Sequence, residues 1–467
     1  MVGADAKLPY REVRDQNGRM YRVGEDPRQL MGYSRTVMIV LPWIAMMLAS
    51  ALEYGWGAAS GTVAQEYHWS LTTAFWNYSV YVLFEAGISY FNGYLRERNI
   101  LKPKYAVMIG GILVAVAYFF LAHSVQPWIS YVGYAMLGGL GSGLVYSTCV
   151  AMVSKWYPEK KGWRTGFVDG GWAYGAVPFI ILYATNFNTH DFISILYMTG
   201  VILGGGLFIV SFWFKDPPKN WWPQQVDPLK WSESNSLRAL RHNPPATNHL
   251  NTKQMWRTGK PFWMLIEFML IAGTSLFGVG FYFPFAQAEH LGTVAVIAGA
   301  TGFAFTDGIG RPIVALFSDY VGRQRAMVIV YAVLGISSIL VLYAGQFHNA
   351  ALFVIFALLA GGTSGSLFVL NPLMTSDYFG ENHLTQNYGT IYAGKVVGGF
   401  YGGVVSAVIV SAGAAGFVWA FWVAGLMALV AALIALVFLK RPTKAQYDRV
   451  LQADAIPPKE LGTTPTI

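Results

Sequence analysis

Residues 105–154 contain no Asp, Glu, Lys or Arg, and residues 326–376 contain none either. Each stretch is about 50 residues long, too long for one bilayer-crossing helix, which needs ~20 mostly apolar residues, and right for two joined by a turn. The turns stand out as the polar runs 123–127 (His-Ser-Val-Gln-Pro) and 345–349 (Gly-Gln-Phe-His-Asn). Only 12% of the 467 residues are charged and 54% are hydrophobic, whereas soluble domains average about 25% charged. The mean hydropathy is +0.41. These values argue against a soluble enzyme and a disordered chain. A single cysteine, Cys149, excludes an internal disulfide framework and a cysteine metal cluster.

Extending the same reading gives an all-α polytopic membrane protein with twelve spans, near 36–57, 72–92, 105–122, 129–153, 166–186, 192–214, 262–286, 293–318, 326–345, 350–376, 385–411 and 415–439. Five segments follow: a cytoplasmic N-terminal tail (1–34), a six-helix half (35–214), a cytoplasmic linker (215–260), a second six-helix half (261–439) and a cytoplasmic C-terminal tail (440–467). The tail at 1–34 lacks an apolar h-region and is not read as a cleaved leader.

Charge placement sets orientation. The N-terminal tail through Arg35 holds seven Lys/Arg, the 2–3 and 4–5 loops four each, the linker eight, the 8–9 loop two and the C-terminal tail five. The alternate loops hold none. Basic residues accumulate on the cytoplasmic side of membrane proteins, so both termini are expected there, in a cell (inner) membrane. The net charge of +8 is then topological, and nucleic-acid binding is not expected. Thirty of the 32 cations are placed this way. The two left over, Arg311 and Lys395, fall inside spans eight and eleven.

The halves repeat. Glu97 and Asp319 differ by 222 positions, and at the same offset Leu137-x-Gly139-x-x-Ser142-Gly143 matches Leu359-x-Gly361-x-x-Ser364-Gly365. Trp156-Tyr157-x-Glu159 likewise matches Tyr378-Phe379-x-Glu381. Transporters built from such repeats bind substrate near the bilayer midplane, between halves that rock against each other. The loop motif Glu97, Arg98 and its second copy Asp319-x-x-Gly322-Arg323 resemble the signature of the major facilitator superfamily, with Glu97 in place of the usual Asp. The resemblance covers nearly the whole chain and implies the major facilitator fold.

Intramembrane cations are costly and usually line a pathway or pair with a partner. Arg311 offers a planar fork and Lys395 a compact ammonium, both suited to an anion. The plain alternative for each is a structural ion pair. Asp307 lies one helical turn before Arg311; it either neutralises the arginine or carries a proton whose affinity depends on substrate. Glu53 and Glu85 are further proton-coupling candidates, and Asp169 and Glu267 also fall in or near spans. Tyr388, Tyr392, Lys395, Gly399 and Gly402 recur at helical spacing as one stripe, which suits a small flat anion or ordinary packing. Tyr54 and Trp56, near the outer end of span one, are similar candidates. Gly389 to Lys395 mimics a phosphate-binding loop, but Val396 replaces the required hydroxyl and no strand precedes it.

A closer resemblance lies in Lys155-Trp156-Tyr157-Pro158-Glu159-Lys160-Lys161-Gly162, Gly310-Arg311, Asp377-Tyr378-Phe379-Gly380, Asn387-Tyr388-Gly389, Tyr392 and Lys395. These are similar to the oxalate/formate antiporter family, which is related to the monocarboxylate transporters. The resemblance implies that Arg311 and Lys395 hold a substrate carboxylate, with Tyr392, Tyr54 and Trp56 as an aromatic cage. Two departures stand out. Asp307 occupies the place of an expected Asn and resembles proton-coupled monocarboxylate transporters, yet span one has no lysine. The extra acid disfavours a dianion such as oxalate.

The expected function is therefore secondary transport of small carboxylates by alternating access, as anion exchange or, alternatively, proton symport. No cofactor is expected; the partners are the carboxylate, protons and the bilayer, and the working unit is a monomer. A membrane sensor without transport is the reading from a different class. An enzyme is not expected, since no catalytic constellation is visible.

Overall fold

Twelve long helices carry the apolar segments, as their length and hydropathy require. The computed structural model describes residues 10–15, 20–234, 242–244, 246, 248–380 and 383–452; parts of both expected tails and of the linker, and Glu381 of the repeat motif, lie outside them. Among the described residues, eleven helices are long and apolar enough to cross a bilayer: Val37–Tyr54, Pro103–Ala122, Pro127–Trp156, Gly162–Asn186, Phe192–Ser211, Lys260–Ala288, Thr293–Val321, Arg323–Gln346, Ala350–Phe379, Leu384–Ser411 and Gly416–Phe438. The twelfth, span two, is Leu71–Glu97. At ~1.5 Å per residue its 27 residues reach ~40 Å, although Asn77, Glu85 and Asn92 dilute its hydropathy. Span one runs further than its apolar stretch, bending at Gly55 and continuing as Trp56–Glu66.

Helix pairing repeats between the two groups of six. Span three packs on four and six as nine packs on ten and twelve, two packs on four as eight on ten, and one packs on five as seven on eleven. The seams between the groups follow the same pseudo-twofold rule, five against eight and eleven against two. Both seams are lined by glycine, so backbones approach closely. A Cβ on Gly308 of span eight would strike the Gly170 carbonyl of span five, and one on Gly399 of span eleven would strike Val82 of span two.

Span eleven also carries a π-helical turn, Tyr401–Val405, with Gly403 outside helical geometry. Such turns free backbone groups that need partners. Ser79 of span two supplies one, accepting from the Val404 N–H at 2.9 Å and donating to the Gly399 carbonyl at 3.1 Å.

The described parts of the N-terminal tail and of the linker fold together. Strands β1 (Arg11–Arg14) and β2 (Met20–Val23) form an antiparallel pair, and β3 (Trp221–Trp222) of the linker joins β2 in parallel. Trp221 packs edge-on against Trp156 at 5.0 Å. Further along, the Leu250 N–H donates to the Phe379 carbonyl and Asn243 donates to that of Ser318. The linker thus docks on both groups of helices.

The loop motif differs between its copies. In the second, Arg323 pairs with Asp319 at 2.7 Å and Asp377 at 3.1 Å. In the first, Arg98 covers the Tyr94 ring and Glu97 accepts from Gln386 at 3.4 Å. The buried ionic role passes to Arg96, which grips Asp216 at 2.8 Å beside Lys155. Burial alone raises the Asp216 carboxyl; Arg96 and then Lys155 outweigh it and hold the group below its ordinary value. That contribution to stability is complete above the ordinary carboxylate range and is lost as pH falls through the lowered value. Asp216→Ala strands the Arg96 guanidinium and is expected to cost about 2–3 kcal/mol. The check is the thermal unfolding temperature in detergent, which should fall; an unchanged value contradicts the anchor.

Candidate substrate site between the two six-helix groups

Arg311 and Lys395 are both buried near the middle of their helices, 0% and 1% exposed, and both face the seam between the groups. Local sequence explains the aim of each. Pro312 has no N–H to donate to the Gly308 carbonyl one turn back, and Gly308 and Gly310 let span eight lie against spans five and ten. On span eleven, Gly394, Gly398 and Gly402 bring one face onto span seven, which turns Lys395 toward spans one and two. Gly402, placed on the lysine stripe by spacing, therefore lies on the other face, within the π-helical turn.

Arg311 is held from three helices. Its Nε donates to Asp307 Oδ1 at 3.1 Å on its own helix. Across the seam, Nη1 lies 2.9 Å from Asp169 Oδ2 and donates to the Asp169 carbonyl at 3.0 Å. Nη2 donates to the Tyr54 hydroxyl at 3.2 Å, and that hydroxyl donates to Asp307 Oδ2 at 2.7 Å. Lys395 has a matching environment. Its Nζ is 2.9 Å from Glu85 Oε2 and 3.1 Å from Glu53 Oε1, both across the seam. Tyr392 donates to Glu85 Oε1 at 2.8 Å and Trp172 to Glu53 Oε2 at 3.0 Å. Glu85 and Asp307 differ by 222, the offset of the internal repeat.

The ring of Phe368 stands between the cations, 4.9 Å from the Arg311 guanidinium carbon and 5.3 Å from the Lys395 ammonium. Trp172 and Tyr392 each lie 5.8 Å from the same ammonium. Tyr146 stacks on Tyr392 at 5.6 Å and meets Trp172 edge-on at 5.2 Å. The result is an aromatic compartment that excludes water and strengthens the charges inside it. Contacts between the two groups lie on either side of it: Phe75 stacks on Phe281 at 4.3 Å toward one end, and Gln386 donates to Glu97 at 3.4 Å at the basic end.

Of the residues singled out from the sequence, the structure brings together Arg311, Asp307 and Tyr54 in one network and Lys395, Glu53, Glu85 and Tyr392 in another. Tyr388 packs beside Tyr392 at 5.6 Å, its hydroxyl meeting no partner among the described residues. Trp56 stacks on Tyr134 of span four at 5.3 Å, inside the first group. Each cation is also ion-paired, as the plain reading had it, with partners across the seam between the groups. Four further members were not picked out as site residues: Asp169, Trp172, Phe368 and Tyr146. A signal existed for the first two, since Asp169 and Trp172 are three apart, on one face of a glycine-rich helix with no basic residue within a turn on that face.

Comparison with known proteins agrees with this fold. The family model described as Major Facilitator Superfamily matches residues 42–301 and 293–458. The oxalate:formate antiporter of Oxalobacter formigenes is 24% identical over 377 residues, covering 80% of this chain and 85% of that protein. Monocarboxylate transporter 12-B of Danio rerio is 22% identical over 324 residues, 63% of this chain and 64% of that protein. Among solved structures, the nucleoside transporter NupG superposes with a TM-score of 0.61 at 12% identity, covering 86% of this chain and 99% of that one. The E. coli fucose:proton symporter FucP superposes with a TM-score of 0.56 at 13% identity, again over 86% and 99%. With its twelve helices, its repeated pairing and a family match spanning most of its length, this chain is a multi-pass membrane protein belonging to the major facilitator superfamily.

Proposed function

We propose that the protein is a secondary carrier of small monocarboxylates that works as a monomer by alternating access, with both termini on the cytoplasmic side. Arg311 and Lys395 bind the substrate carboxylate, while Tyr54, Tyr392, Trp172 and Phe368 exclude water around it. The observation that carries this reading is that each buried cation is held by carboxylates of the opposite six helices. Opening toward either side pulls span five from eight, or two from eleven, and so presents the cations to water. An incoming carboxylate then takes a place that a resident carboxylate held.

Charge balance favours proton symport over exchange. Four carboxyl groups, Asp169, Asp307, Glu53 and Glu85, meet two cations, and burying a further unbalanced anion is costly. Proton uptake by a displaced carboxylate removes that cost, and Asp307 is positioned to take the proton when substrate takes Arg311. Anion exchange is the second reading, favoured by the similarity to the oxalate:formate antiporter.

The test is uptake of labelled formate, acetate, lactate and oxalate into proteoliposomes. Monocarboxylate uptake is expected to rise with an inwardly acid gradient, and oxalate to be a poor substrate; transport that ignores the gradient and needs trans substrate would establish exchange. Arg311→Ala and Lys395→Ala are each expected to lower uptake at least about 100-fold, the loss of roughly 3 kcal/mol of anion binding, in protein that remains monodisperse. Normal uptake by either variant removes that residue from the site. Asp307→Asn is expected to lower the ratio of acid-driven uptake to counterflow at least about 10-fold, and an unchanged ratio leaves Asp307 as a counter-ion only.

A further inference from the structure

Lys395 is held by two acids, not one. Glu53 comes from span one and Glu85 from span two, and each is fixed by an aromatic donor, Trp172 for Glu53 and Tyr392 for Glu85. All five side chains are buried. Each carboxylate lies on the ammonium at the distance a bound carboxylate would take, 3.1 and 2.9 Å. The acids belong to the first group of helices and the lysine to the second, so the contact exists only when the groups are closed on one another. Building on the carboxylate-carrier reading, we infer that Glu53 and Glu85 are built-in stand-ins for substrate at Lys395, which let the carrier pass through its closed arrangement without cargo and so perform net transport rather than obligate exchange.

The physical argument is desolvation. When the groups close, Lys395 leaves water, and an ammonium buried without an anion is strongly unfavourable. A carrier whose central cation has no internal partner closes only around a bound anion, so each return trip needs cargo. A carrier with its own carboxylates on the lysine closes either way. Asp169 and Asp307 serve Arg311 in the same manner, but Asp307 rides on the same helix as the arginine and stays with it during opening. Glu53 and Glu85 are both left behind on the other group, so their contact with Lys395 reports closure itself. Their charge also raises the cost of a second negative charge on the substrate, which selects monoanions.

The experiment compares net uptake into unloaded proteoliposomes with counterflow into preloaded ones, using labelled lactate, for the native protein and for Glu53→Gln/Glu85→Gln. The ratio of net uptake to counterflow is expected to fall at least tenfold in the double variant, and oxalate is expected to compete better against lactate than it does in the native protein. An unchanged ratio overturns the inference while leaving carboxylate transport intact; absence of any carboxylate counterflow in the native protein overturns the carrier reading instead. A second measurement needs no transport. In a background with Cys149→Ser, the pairs Phe75→Cys with Phe281→Cys, and Glu97→Cys with Gln386→Cys, report closure at the two ends by cross-linking. Without carboxylate, the native site should cross-link at both ends, and the glutamine variant should lose closure at one end until lactate is added. Equal cross-linking with and without the two acids contradicts the inference, whatever the double variant does in the uptake assay.

Discussion

The architecture depends on two buried cations whose counter-charges sit on the opposite side of the seam between the two groups of six helices. An ion pair in a low-dielectric interior is costly to bury and costlier to break in place. Arg311 and Lys395 are each held at 2.9 Å by a carboxylate from the other six helices, so the pairs cannot come apart without water or another anion taking over. That requirement ties opening of the seam to solvation and closing to neutralisation. A static structural salt bridge has no need to span two groups of helices that a repeat has made rotationally equivalent.

The remainder of the fold is compatible with the proposed motion. Five against eight and two against eleven are equivalent seams, and both rely on glycine for close approach. Ser79 accepts from the Val404 N–H and donates to the Gly399 carbonyl at the π-helical turn of span eleven, so the first group of helices supports that distortion from across the seam. The linker docks at the basic end on both groups, and the Arg96–Asp216 pair fixes its start.

Much of this was legible in the sequence, for identifiable reasons. Span positions follow from apolar length, a local property, and the observed helices start and end within about five residues of the expected ones, save span one, which continues to Glu66. Span two is the instructive case: its polar residues lower its hydropathy because Glu85 and Asn77 face the protein interior rather than lipid. Arg311 and Lys395 emerged because topology accounts for all the other cations. What stayed hidden depends on helix rotation and on partners far apart in the chain. Asp169 meets Arg311 across 142 positions and Tyr392 meets Glu85 across 307, and no spacing rule reaches that far. Trp56 read as a neighbour of Tyr54, but two residues along a helix point to different faces, and it packs against Tyr134. The β1–β2–β3 sheet escaped notice because its strands are short and its third member lies in the linker.

The most direct test is a structure of the protein with a bound monocarboxylate such as lactate. The account predicts a substrate carboxylate oxygen ~3 Å from Arg311 or Lys395, inside the compartment walled by Phe368, Trp172 and Tyr392, with at least one resident carboxylate displaced from its cation. Lactate bound elsewhere, with Asp169, Asp307, Glu53 and Glu85 all still on their partners, would contradict it.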